Sequence, residues 1–258
     1  MVQTKLLKDK KTATQPLETI VELKNVHKSF GDNIVLNGIN LTVNKGENLV
    51  ILGKSGSGKS MTIKCLVGLV TADKGEIKIF GEDITQMDTA SLNEIRVRVG
   101  FLFQNGALYD SMTVRQNLGF TLKHHSPSLS ADEIDQAILE ALENVGLEDA
   151  IDKMPSELSG GMQKRIGLAR TLIIKPEIML YDEPTTGLDT VTAKEISELI
   201  LYVQKKYKTT SIIITHDMAC AKLTANRIMI LKDGVISTEG TYEELEKSED
   251  KWVRSFFI

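Results

Sequence analysis

Residues 53–60 read GKSGSGKS, and this loop sits between an apolar run, ENLVILG, and an apolar helical stretch, MTIKCLVGL. The pattern is G-x-x-x-x-G-K-[ST]. Its glycines let successive backbone N–H groups turn inward onto phosphate oxygens. A helix that starts at the loop's end adds favourable partial positive charge. Such a loop works when a buried strand delivers it and a helix leaves it, so it commits the chain to strand–loop–helix packing. Gly53, Lys54, Ser55, Gly56, Ser57, Gly58, Lys59, Ser60 and the following Met61 are the candidate nucleotide contacts. Lys59 can reach the β- and γ-phosphates, and the Ser60 hydroxyl can ligate Mg²⁺. A plain Gly/Ser turn is the bland alternative, and it leaves the strand and helix on either side unexplained.

The rest of the chain divides around this loop. Residues 1–18 are polar and lysine-rich and are expected to form a flexible leader. IVELKNV and IVLNGINLTV are β-prone runs separated by the turn signal FGDN, and GEIKIFG alternates like a further strand. This start predicts an antiparallel sheet ahead of a parallel core. Between 84 and 165 helical periodicity dominates, so this stretch is expected to be a helical subdomain inserted into the core. Its clearest segment is SADEIDQAILEALENVG. Ser130 and Glu133 make a capping-box pair, and Ile134, Ala137, Ile138, Ala141, Leu142 and Val145 fall on one face before Gly146 ends the helix. From 166 onward, EIMLYDEP, TSIIITHD and NRIMILKDG read as strands buried on both faces, the first two joined by the helix TAKEISELILYVQKKY.

Composition removes several function classes. A net charge of −4 and a pI of about 5.7 argue against a nucleic-acid partner. No apolar run approaches the ~18 residues that span a bilayer, and the N-terminus lacks the apolar core of a signal peptide. The expectation is a cytoplasmic protein that reaches a membrane only through a partner. Cys65 and Cys220 have no metal-like spacing and suit a reduced compartment.

Two further stretches carry chemistry. Asp182 and Glu183 end the apolar strand EIMLYDEP, where parallel α/β sheets place their ligand site. Asp182 can hold Mg²⁺, and Glu183 is the candidate to polarise the attacking water and accept its proton. Alone, two acids capping a strand-end turn would be ordinary; the phosphate loop upstream makes them a pair with a task. LSGGMQ, Leu158–Gln163, opens an apolar-faced helix whose Ser159, Gly160 and Gly161 expose N–H groups at its tip, a second anion site. One chain cannot easily use two phosphate cradles for one nucleotide. The economical geometry is a homodimer with ATP between the cradle of one copy and the tip of the other.

With these motifs in this order, the chain resembles the ABC ATPase family from Ile20 to about Tyr242. The resemblance implies an α/β fold: a P-loop NTPase core, a parallel sheet flanked by helices, with an N-terminal antiparallel β-subdomain and an inserted α-helical subdomain. The ABC ATPase domain would span 19–245, with 246–258 a short C-terminal helix or tail. It also implies ATP and Mg²⁺ as cofactors. Phe30 in HKSFG would stack on adenine, and Gln104 in FLFQNG would contact Mg²⁺ and mark the docking region of an integral-membrane permease. Asp189 in TTGLDT would pass between protomers, and His216 in IIITHD would contact the γ-phosphate. Catalysis then falls to Glu183, His216, Lys59 and Gln104, and the metal to Ser60, Gln104 and Asp182. Each of these residues has an ordinary structural reading by itself; the ordered set is specific. His27, His124 and His125 have no such placement and read as surface residues.

Two departures stand out. Met61 replaces the usual hydroxyl after the GK[ST] triplet, removing a contact to the α-phosphate, and Phe30 replaces the usual tyrosine while keeping the π-face that stacks. FLFQNGALYDSMTVRQN, KMPSELSGGM and DKWVRSFFI are similar to the ATPases of Mla/Mce-type lipid transporters. That similarity implies a separate permease, an Mce-domain lipid-binding protein and phospholipid cargo moved between the inner and outer membranes, with this chain peripheral on the cytoplasmic face of the inner one. A non-transport ABC regulator of a membrane partner, as in cell division, and a transporter ATPase for another substrate are the alternatives.

Overall fold

The computed structural model describes residues 18–257. Residues 1–17 of the expected leader, and Ile258, lie outside the described residues. The chain opens with the hairpin of β1 (Thr19–Phe30) and β2 (Asn33–Asn44), followed by β3 (Asn48–Gly53) and α1 (Lys59–Leu66). Next come β4 (Lys74–Ile79), β5 (Glu82–Asp83), α2 (Thr89–Val97) and β6 (Val99–Leu102). Three helices follow: α3 (Val114–His125), α4 (Ala131–Glu143) and α5 (Gly160–Leu172). The remainder is β7 (Ile178–Asp182), α6 (Thr190–Tyr207), β8 (Thr210–Ile214), α7 (Met218–Thr224), β9 (Arg227–Lys232), β10 (Val235–Gly240), α8 (Tyr242–Glu246) and α9 (Lys251–Arg254).

The strands form an antiparallel sheet in the order β2-β1-β4-β5 and a second sheet in the order β10-β9-β3-β8-β7-β6. In the second, β9, β3, β8, β7 and β6 run parallel, and β10 turns back antiparallel at the edge. Every residue of β3 and β8 is buried. Both faces of this sheet are covered, so its central strands read as unbroken apolar runs. Burying Ile212, Ile213 and Ile214 completely stabilises the sheet by about 1.5–3 kcal/mol per side chain. The carboxyl ends of β3, β6, β7 and β8 lie along one edge, which delivers residues 53, 104, 182–183 and 216 to a common region.

The sheet sits between two cores. One joins it to the antiparallel sheet and α1, through residues such as Leu23, Ile39, Ile63 and Leu66. The other packs α6, α7 and the C-terminal Val253 on the opposite face. A third core, from Val114 to Ile173, belongs to the helical lobe. There α4 starts with the expected capping box, in which Glu133 N–H donates to Ser130 Oγ and Ser130 N–H donates to Glu133 Oε2. Its apolar face is buried at Ile134, Ile138, Ala141, Leu142 and Val145. Gly146 has φ +65°, which lets Leu147 N–H reach back to Leu142 O at 3.1 Å.

The stretch 84–165 is not helical throughout. Val99–Leu102 is β6, the last strand of the parallel sheet, and Leu92 and Ile95 just before it pack into the main core. The helical lobe proper gathers residues from about 108 to 174, beyond the expected boundary. Four residues are too few for a two-residue alternation to register against the flanking helices. The tail beyond 246 contains α9, and its Trp252, Phe256 and Phe257 pack against the second core. Cys65 and Cys220 are free and buried. His124 and His125 are exposed, and His27 is half-buried and bonded to Asn25.

Candidate functional site

β3 ends at Gly53, which cannot carry a side chain: a Cβ there would lie 2.5 Å from both Leu231 O and Ser57 Oγ. Gly58 holds φ +105°, and its Cβ would meet Val35 O at 2.7 Å. Between them the loop curls over a cavity of about 700 Å³. Lys54, Ser55, Gly56, Gly58, Lys59, Ser60 and Met61 line it, together with Gln104, Glu183, Thr186 and His216. Lys59 folds back over the loop, its Nζ donating to Gly53 O at 2.8 Å and Lys54 O at 3.2 Å. Burial lowers its pKa, and Glu183 and Asp182 push the other way. Ser57, an expected nucleotide contact, is not in the lining: its side chain is turned back against Gly53, and its buried Oγ has no hydrogen-bond partner. A glycine-rich loop and a buried ammonium lining one cavity fit a polyphosphate.

The oxygen ligands meet beside it. Ser60 Oγ donates to Asp182 Oδ1 at 2.9 Å. Burial raises the Asp182 pKa, opposed by the Ser60 hydrogen bond and reinforced by Glu183. No cluster of three or more His, Cys, Asp or Glu ligands occurs among the described residues. One carboxylate bonded to one hydroxyl, and the Gln104 amide on the same cavity as Ser60, match the kind of oxygen donors that Mg²⁺ prefers.

Glu183 follows β7 in the left-handed region at φ +53°. Its bonds converge on one oxygen: Oε2 accepts from His216 Nδ1–H at 2.8 Å, His216 N–H at 3.3 Å and Thr186 Oγ1–H at 3.1 Å. That leaves Oε1 as the acceptor available to the cavity.

The signature helix builds a different region. Ser159 caps α5, accepting from Met162 N–H. Gly161 lets the helix tip rest on the start of α6, where a Cβ would stand 2.5 Å from Thr192 Cγ2. Thr192 in turn donates to Asp189 Oδ2 at 2.6 Å, and Asp189 caps α6. Ser159, Gly160, Gly161 and Asp189 therefore share one corner of the chain, and none of them lines the cavity over the Gly53–Met61 loop. Phe30 also stands outside that cavity, 52% exposed at the end of β1 with Lys28 Nζ 5.2 Å from its ring centre.

Several residues at the site carry no sequence pattern of their own. Thr186 fixes the Glu183 carboxylate. Val35, Lys64 and Phe256 line the cavity, the last from the tail. Lys164, inside α5, donates to three carbonyls of the loop that carries Glu183. Gly167 packs against Gly106, and Arg170 donates to Ala107 O at 2.6 Å, so α5 also holds the segment after Gln104.

A family model described as ABC transporter matches residues 36–186. The chain is 37% identical over 239 residues to the intermembrane phospholipid transport system ATP-binding protein MlaF of Haemophilus influenzae, covering 93% of this chain and 90% of that one. It is 38% identical over 241 residues to the probable ribonucleotide transport ATP-binding protein mkl of Mycobacterium leprae, covering 93% and 69%. Among solved structures, it is similar to the dimeric ATP-binding cassette MJ0796 in a post-hydrolysis state bound to ADP and Pi, with a TM-score of 0.79 at 33% identity over 86% of this chain and 98% of that one.

Proposed function

This chain belongs to the ABC transporter family, and from that premise we propose that it is the ATPase of a lipid transporter, hydrolysing ATP at two composite sites of a homodimer. The observation that carries the composite site is the separation of its halves within one chain. The Gly53–Met61 loop, Gln104, Glu183 and His216 line one cavity, while Ser159, Gly160, Gly161 and Asp189 gather at another corner. A second copy related by two-fold symmetry supplies each cavity with the missing tip.

The residues then divide the work. The loop's N–H groups and Lys59 hold the β- and γ-phosphates, and Phe30 stacks on adenine. Ser60, Asp182 and Gln104 would hold Mg²⁺, which would supply neutralisation of the phosphate charge. Glu183 Oε1 orients a water and takes its proton as the water oxygen attacks the γ-phosphorus and the bond to the bridging oxygen breaks. His216 is tied to Glu183 through Nδ1 and keeps its other nitrogen for the γ-phosphate. The tip of α5 and Asp189 close the site from the partner.

The permease belongs beside Gln104. A groove of about 740 Å³ runs between the core and the helical lobe, lined by Gly100, Phe101, Phe103, Tyr109, Phe120 and Arg170 among others. Phe103, Tyr109 and Phe120 are large apolar side chains left exposed there, as a short docking helix requires. None of the described helices is long and apolar enough to cross a membrane. The chain therefore reaches the inner face of the inner membrane through that permease. The phospholipid cargo and the Mce-domain partner rest on the identity with MlaF and on the local wording around Gln104 and the signature.

Ser159→Arg tests the shared site. It should abolish turnover while leaving ATP binding unchanged and lowering Tm by only about 2–4 °C through the lost cap of α5, and retained turnover refutes the composite geometry. Affinity purification of the tagged chain from its own membranes tests the cargo. A multispanning permease, an Mce-domain protein and bound phospholipid are expected. A permease with a soluble-solute receptor, or a cell-division partner, would overturn the lipid assignment.

A further inference from the structure

Lys164 sits one turn inside α5 and is only 7% exposed. Its Nζ donates to Thr186 O at 2.5 Å, Pro184 O at 3.0 Å and Glu183 O at 3.4 Å. An ammonium has three donors and no acceptor, so one short loop satisfies the whole group. The loop needs holding. Glu183 occupies φ +53°, a backbone region that a side chain of this kind seldom adopts and that persists only when its surroundings over-determine it. Thr186, whose carbonyl takes the shortest of the three bonds, is also the residue whose hydroxyl donates to Glu183 Oε2. Lys164 thus fixes both the backbone beneath the carboxylate and the side chain that orients it.

We propose that Lys164 is a positioning residue for ATP hydrolysis, aiming the Glu183 carboxylate into its own chain's cavity by clamping the carbonyls of residues 183, 184 and 186 to the signature helix. The clamp joins two half-sites. The tip of α5 serves the nucleotide held by the partner, and one turn later the same helix sets the base for the nucleotide held by its own chain. None of the bonds from Lys164 goes to residues 53–61, so its effect falls on turnover rather than on binding.

The proposal rests on Glu183 being the base, and the test separates the two. In the full-length protein, Lys164→Met, Glu183→Gln and the double variant are compared with wild type by phosphate release, by ATP titration and by Tm. Lys164→Met should lower kcat about 100-fold, the scale on which a displaced catalytic group loses rate, with KM for ATP within about twofold. The double variant should be no slower than Glu183→Gln, because both changes act through one carboxylate. If Lys164→Met does not fold, Lys164→Gln, a shorter neutral donor, is read in its place. A kcat within threefold of wild type, a KM that rises as kcat falls, or losses that multiply in the double variant each overturn the clamp. Normal turnover by Glu183→Gln alone removes the base assignment itself, and the clamp falls with it.

Discussion

Replacing Glu183 by Gln changes one atom, and the structure says which one matters. Every hydrogen bond to the side chain ends on Oε2, from His216 Nδ1, His216 N and Thr186 Oγ1. A glutamine keeps that arrangement by placing its carbonyl oxygen where Oε2 was. Its NH₂ then occupies the position of Oε1 and offers the attacking water donors in place of an acceptor. General-base assistance is worth about 10²–10⁴ in rate, or about 2.7–5.4 kcal/mol. The upper part of that range applies, because Glu183 is the only carboxylate that lines the cavity among the described residues. A kcat lowered about 10³-fold or more is expected. The cradle is untouched and a negative charge near the γ-phosphate is gone, so KM for ATP should stay equal or fall. Phosphate release at saturating ATP gives the rate, and gel filtration with ATP and Mg²⁺ should show a dimer that persists because its bridging phosphates are not cleaved. A kcat within tenfold of wild type, or slow turnover without an accumulated dimer, would refute the reasoning.

Two further changes test the site and its scaffold. Asp182→Asn should abolish Mg²⁺-dependent hydrolysis yet raise the Tm of the nucleotide-free protein at pH 7. The folded chain holds this carboxyl above its ordinary value. Its contribution is therefore favourable below the unfolded pKa and is lost as pH rises through the folded one. The variant's gain should accordingly vanish below about pH 4, and an unchanged Tm difference across that range would contradict the burial argument. Asn117→Ala should lower Tm by about 6–12 °C, from a cost of about 3 kcal/mol for stranding buried backbone groups. The Asn117 amide accepts from Tyr109 N–H and donates to the carbonyls of Tyr109, Met112 and Thr113 while fully buried. A shift under 2 °C in a thermal melt would show that the loop after Gln104 holds itself.

The parts legible in the sequence were those whose chemistry is local. The glycines of residues 53–60 announce a loop and its flanking strand and helix. Ser130 and Glu133 announce a helix start because the cap is made within four residues. β6 stayed hidden because Val99–Leu102 is too short to show a period. β10 did as well, since Val235–Gly240 alternates only between exposed and half-buried positions at a sheet edge. Lys164 could not be told from a surface lysine: its partners lie about twenty residues away in sequence, and only packing brings them to its Nζ. Phe256 is similar, since nothing in a C-terminal Phe-Phe pair points to a loop 200 residues upstream. The halves of the nucleotide site were readable as motifs, and their separation within one chain became visible only in three dimensions.

α5 is 13 residues long, a rod of about 20 Å. It meets the Ser159 tip at one end, the carbonyls after β7 one turn on, and the Gly106–Ala107 segment beyond. A stiff strut with three anchorages cannot adjust one of them alone. Variants that loosen the fit at any anchorage should therefore be rescued by second changes elsewhere on the strut, and the timing of opening and closing should be inherited through it.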